Sequence, residues 1–174
     1  MKLWLVSYRH AASEAGKSIT ELPPEEAQAM AEALYCRSAC KAHRRFEPER
    51  FPRYYRERLQ AERLLYDSFR ARGGMPKREH PLYFTLQASE SLASGFGDPR
   101  EIRLELDSLR DEDVSFTLGD SMALYYGGAL EGVLTKAELL QRLEAQQYDV
   151  TALLPGPAEP GAFVEAQLWT EAWG

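Results

Sequence analysis

Apolar and polar positions alternate from the start of the chain. In KLWLVSY, Trp4, Val6 and Tyr8 fall on one side and Leu3, Leu5 and Ser7 on the other, the period of two that predicts a strand over residues 3–8. The stretch ASEAGKSITELPP carries turn chemistry. Pro23 and Pro24 then open a helix, with Glu25 and Glu26 in the first turn where the helix dipole favours acids. Ala27, Met30, Ala31, Leu34 and Tyr35 keep helical spacing, and Pro48 interrupts the pattern. A second helix is predicted from Pro52, with Tyr55, Leu59, Leu65, Tyr66 and Phe69 as its apolar stripe and Gly73-Gly74 as its stop.

From Pro81 onward the pattern turns to β. LYFTL predicts a strand, SESLASGFG a short helix or turn, and EIRLEL a strand with Ile102, Leu104 and Leu106 inward and Arg103 and Glu105 outward. VSFTL predicts another strand, and a loop beginning at Gly119-Asp120 is expected to carry SMALYYGG. Thr135 and Glu138 form a capping box ahead of the helix KAELLQRLEAQQ. After the loop PGPAEPG, FVEAQLW is the last strand. Its Val164, Ala166 and Leu168 share one face, and Phe163, Glu165, Gln167 and Trp169 share the other. These elements predict an α+β fold: a mixed or antiparallel sheet with an arginine-rich helical hairpin, residues 23–74, inserted after the first strand.

The 174 residues suit one domain, residues 1–174, large enough to fold without disulfides or metal. No apolar run approaches the ~18 residues of a membrane span, and the N-terminus lacks the features of a signal peptide. A cytoplasmic protein with no membrane contact is expected. Cys36 and Cys40 do not make a disulfide framework. With His43 they share one face of a predicted helix, where thiolates and imidazole suit zinc. Three ligands on one straight helix wrap a tetrahedral ion poorly, so no metal site is expected.

The net charge of −6 hides a strong asymmetry. Residues 37–78 hold 13 of the 21 Lys and Arg but only 5 of the 27 Asp and Glu. Such a block is either a footprint for a polyanion or a solvated face paired with acids of the same molecule. There is no G-x-x-x-x-G-K-[ST] phosphate loop, no G-x-G-x-x-G fingerprint after a strand and no G-x-S-x-G elbow.

Polar residues within strands are the remaining candidates for chemistry. Arg9 and His10 lie just past the first strand, Tyr83 and Thr85 share a face of the LYFTL strand, and Glu165 and Gln167 share a face of the last. A polar group on an apolar strand needs a partner or solvent. Each position also has a plain reading: Tyr83 as a core tyrosine with its hydroxyl at the surface, Glu165 turned to solvent, His10 capping a turn. Asp120 and Ser121, flanked by aromatics, are either a substrate-loop element or a turn bonded to itself.

The order of His10 (or Arg9) on an early strand, Tyr83 with Thr85 in LYFTLQASESLASGFG on a middle strand, and Glu165 in FVEAQLW on a late strand resembles the mono-ADP-ribosyltransferase superfamily. The chain departs from that pattern in having SYRHA at the first position and Phe163 where many arginine-modifying members have a second acid. The resemblance implies NAD as substrate, with Glu165, Tyr83 and His10 catalytic and Arg9, Thr85 and Gln167 holding the dinucleotide. Glu165 would bond the ribose hydroxyl and stabilise its developing positive charge. Tyr83 would stack on nicotinamide. A nucleic acid or protein acceptor would meet residues 37–78, where Arg53, Arg56 and Arg63 are expected to point outward. The competing expectation is a non-catalytic binding or inhibitor protein, of the immunity type or carried by phage or mobile elements, that uses the same basic, tyrosine-rich helices.

Overall fold

The computed structural model describes residues 2–10, 16–37, 44–95, 99–156 and 161–171. Among the described residues six strands form one antiparallel sheet in the order β3-β1-β2-β6-β4-β5. They are β1 (Trp4–His10), β2 (Leu82–Leu86), β3 (Pro99–Glu105), β4 (Val114–Thr117), β5 (Leu134–Thr135) and β6 (Glu165–Leu168). The helices are α1 (Pro24–Arg37), α2 (Phe51–Ala71), α3 (Glu90–Gly95), α4 (Ser121–Tyr126) and α5 (Lys136–Ala145). The chain is therefore α+β, and β1 runs two residues further than its sequence pattern predicts.

Alternation along the strands sorts the side chains onto two faces. Leu5, Leu82, Phe84, Val164, Ala166 and Leu168 pack on one face against Leu139 and Leu143 of α5. The Thr135–Glu138 capping box that starts α5 is present, with the Thr135 hydroxyl accepting from the Glu138 N–H. On the other face lies α2, whose Leu65 and Phe69 pack with Trp169 and Val133. The stop of α2 is steric as well as conformational. Gly73 has φ +90°, and a Cβ on Gly74 would stand 2.5 Å from the Phe69 ring. A smaller cluster joins Ala27 and Ala31 of α1 to Phe51 and Tyr55 of α2. Residues 38–43, between α1 and the turn that precedes α2, lie outside the described residues, and with them Cys40 and His43. Cys36 is exposed and not in a disulfide.

One sequence expectation changes here. The SMALYYGG stretch is helix α4 rather than loop, because Asp120 caps it by accepting from the Ala123 N–H at 2.9 Å. The arginines of α2 do not all face outward. Arg53, Arg56 and Arg63 are exposed, but Arg58 is turned in toward the sheet with its side chain only 11% accessible. Among the described residues no helix is long and apolar enough to cross a membrane.

Candidate active site

Strand β6 lies between β2 and β4, so Glu165 is not at a solvated edge. It is buried, at 5% exposure, which rules out the solvent-facing reading. Register places it in a row of facing partners across four strands: Val6, Thr85, Glu165 and Thr117. The next row on the same face is Tyr83, Gln167, Ser115 and Thr135. The sheet thus presents a polar patch to α2 and α4 beside the apolar cluster around Trp169.

A buried polar patch is tolerated only where its groups bond one another. Here they form a chain. The Trp169 indole N–H donates to Ser115 Oγ at 2.8 Å, and that hydroxyl donates to Gln167 Oε1 at 2.8 Å. Gln167 Nε2 donates to Thr117 Oγ1 and to Glu165 Oε1, each at 3.1 Å. Ser121, the first residue of α4, is buried and acts to lower the pKa of the same carboxylate. Gln167 is wholly buried, so its amide orients Glu165 from behind.

Two charged residues of α2 complete the patch. Arg58 and Glu62 are one helical turn apart and 3.5 Å from each other. Both sit on the buried stripe that continues through Leu65 and Phe69. The Arg58 guanidinium lies 3.8 Å from the centre of the Tyr83 ring and reaches Ser121 Oγ at 3.3 Å. Glu62, 1% exposed, accepts from Tyr83 Oη at 2.9 Å and Thr20 Oγ1 at 3.1 Å, and lies 2.7 Å from His80 Nδ1. The Tyr83 hydroxyl is therefore held inside rather than at the surface, and one face of its ring is covered by Arg58.

Burial dominates the electrostatics. It pushes the Glu165 carboxyl up to about 7, against the opposing pull of Arg58 and with a further push from Asp120. Burial acts to lower the Arg58 pKa, but the surrounding Tyr83, Tyr54, Glu165 and Glu62 more than offset it and hold the guanidinium charged. Burial raises Tyr83 well above the ordinary tyrosine value, so it stays a neutral donor. The hydrogen bond to Glu62 raises His80.

Glu165, Tyr83, Thr85 and Arg58 open onto one cleft of about 210 Å³, which Tyr8 and Phe163 also line. Asp120, Arg45 and Tyr54 border both this cleft and an outer basin of about 800 Å³. Arg50 and Arg53 add cations to the outer rim. Of the residues singled out in the sequence, Tyr83, Thr85 and Glu165 meet in the cleft, with Gln167 behind them. Asp120, the cap of α4, joins them in the cleft, while Ser121 is wholly buried and bonded to Arg58. Arg9 donates to the Lys17 carbonyl at 3.3 Å, and burial and the neighbouring Arg78 lower its pKa. The backbone of His10 pairs with Pro99 at the end of β1, while its side chain lies outside what is described. Among the described residues no group of three or more His, Cys, Asp or Glu is placed to hold a metal ion.

No family model, curated protein or solved structure matches this chain. The sequence pattern did not single out Arg58, Glu62 and His80. The only signal for the first two was positional: residues 55, 58, 62, 65 and 69 keep the spacing of one helix face.

Proposed function

We propose that this protein is an NAD-dependent ADP-ribosyltransferase-like enzyme that modifies a macromolecular acceptor, with Glu165 as the catalytic carboxylate. The reading is carried by the meeting of Tyr83, Thr85 and Glu165, from middle and late strands, at one cleft beside the early strand β1. A carboxyl that titrates near neutral pH suits proton transfer at the working pH. In its ionised form it stabilises positive charge developing on a ribose. The nicotinamide leaves with the electron pair of the glycosidic bond. The acceptor nucleophile bonds to the same ribose carbon, and its proton passes to Glu165.

The size of the site is compatible with that substrate. The inner cleft alone falls below the ~300–1,000 Å³ of ligand pockets, but with the adjoining basin the space suits a dinucleotide. Arg45 on the basin wall is a cation suited to a pyrophosphate, while Arg50 and Arg53 there pair with Glu47 and Glu57. With the Tyr83 ring stacked on Arg58, the aromatic groups left to meet a nicotinamide ring are Tyr8 and Phe163. His10 and Arg9 remain orienting groups at the end of β1 in this reading. The exposed Arg53, Arg56 and Arg63, within the basic block of residues 37–78, are the proposed acceptor surface for a nucleic acid or a protein.

The test uses NAD labelled in its adenine ring, incubated with the protein and separately with single-stranded DNA, RNA and a mixed protein pool. Label appearing on one class of acceptor supports the reading and names the acceptor. If NAD stays intact with every acceptor while one of them binds the basic helix, the protein is the non-catalytic binder.

A further inference from the structure

Glu165 and Glu62 are two buried carboxylates that Arg58 connects. On one side Arg58 lies 3.5 Å from Glu62. On the other it donates to Ser121 at 3.3 Å and lines the same cleft as Glu165, whose carboxylate it attracts. Its ring partner Tyr83 donates to Glu62, so stacking and hydrogen bonding hold Arg58 in one place. Glu62 is in turn fixed by Thr20 from the segment before α1 and by His80 from the segment before β2. Glu62, Thr20 and His80 do not themselves line the cleft. A buried acid in the middle of an apolar helix stripe is costly unless it is paired, and its place opposite the same guanidinium needs a reason.

We propose that Glu62 is a positioning residue that divides the Arg58 cation between itself and Glu165, and so determines how strongly Glu165 holds its proton. The other groups around Glu165 are Asp120 at the start of α4, Tyr83 on β2, and Arg45 and Tyr54 at the cleft mouth. Among the described residues Arg58 is the cation between Glu165 and Glu62, and the neutral Tyr83 lies between them as well. With Glu62 neutral, the whole attraction of Arg58 falls on Glu165, and the carboxylate form gains. With Arg58 removed, Glu165 loses its cation and the protonated form gains. The inference concerns the carboxylate itself and stands whichever reaction it serves.

The test is a direct titration of Glu165 by carboxyl ¹³C NMR, with the signal assigned by its loss in Glu165→Gln. In the wild-type protein the midpoint is expected near 7. Glu62→Gln is expected to lower it by about one pH unit or more, and Arg58→Met to raise it by a similar amount. Glu62→Asp, which retracts the carboxylate by one methylene, is expected to lower it by less and serves if the Gln variant does not fold. A purely structural Glu62 would not move the midpoint in a fixed direction. A folded Glu62 variant whose Glu165 midpoint is unchanged or higher overturns the proposal. Because the readout is independent of turnover, a protein that consumes no NAD still answers it.

Discussion

Arg58 lies against the Tyr83 ring with its guanidinium carbon 3.8 Å from the ring centre, and Glu62 holds both, taking a hydrogen bond from the Tyr83 hydroxyl and an ion pair from Arg58. This packing joins α2 to β2 directly under the cleft. Removing the cation leaves Glu62 with Thr20, Tyr83 and His80 but without its neutralising charge. Arg58→Ala is expected to destabilise the fold by about 3–5 kcal/mol, the usual cost of breaking a buried pair from one side. Urea unfolding measures it. A loss below about 1 kcal/mol would mean that the three remaining partners suffice.

The raised carboxyl of Glu165 makes a prediction about pH and stability. Its folded value of about 7 lies above the 4.5 of an ordinary glutamate. Between those values the folded state binds more protons than the unfolded state, so stability falls as pH rises from 4.5 to 7 and levels off above. Glu165→Gln removes that slope. The variant should gain on the wild type by roughly 3 kcal/mol between pH 4.5 and 8, read from denaturation midpoints at each pH. Parallel curves for the two proteins would show that Glu165 titrates as an ordinary exposed acid.

Much of the architecture can be read in the sequence, because the pattern of the core has no competing explanation. The two faces of FVEAQLW, the capping box at Thr135 and the stop at Gly73-Gly74 each follow from a short-range rule. What the sequence hides is set by contacts far apart along the chain. Arg58 and Glu62 look like the solvated charges around them, and only the sheet beneath α2 explains their inward turn. The same holds for SMALYYGG, whose glycines and serine suggest a loop until the Asp120 cap is seen to close a helix. Of the candidate residues, Tyr83, Thr85 and Glu165 could be grouped from face and strand order. The part that α2 plays beside Tyr83, through Arg58 and Glu62, could not.

Trp169 anchors the apolar end of the same face. It is fully buried, stacks on Phe69 at 5.9 Å and meets the edge of Tyr66 at 5.7 Å. Its indole N–H also starts the hydrogen-bond chain that ends at Glu165. Trp169→Ala should cost about 3–5 kcal/mol. Trp169→Phe should cost less, while leaving Ser115 without its donor. Equal costs for the two would mean that ring volume contributes nothing beyond the hydrogen bond.

The outer arginines should behave in the opposite way. Arg53 pairs with Glu57 at 2.8 Å and Arg63 with Asp67 at 3.1 Å, each across one exposed helical turn worth a few tenths of a kcal/mol. Replacing Arg53, Arg56 and Arg63 together by Ala should change stability by no more than about 1 kcal/mol. If the acceptor is a nucleic acid, the same variant should bind it more weakly, with a salt dependence shallower by up to ~3 in log–log slope. An unchanged slope would place the acceptor elsewhere on the protein.

If Glu165 performs the proposed chemistry on NAD, the most direct measurement is the rate of nicotinamide release by the wild type and by Glu165→Gln at neutral pH, with folding checked by circular dichroism. Release by the wild type is expected, with a loss of about a hundredfold or more in the variant, which keeps the shape of the side chain but not its charge. Equal rates in the two proteins, or no release by the wild type with any acceptor, would contradict that role of Glu165.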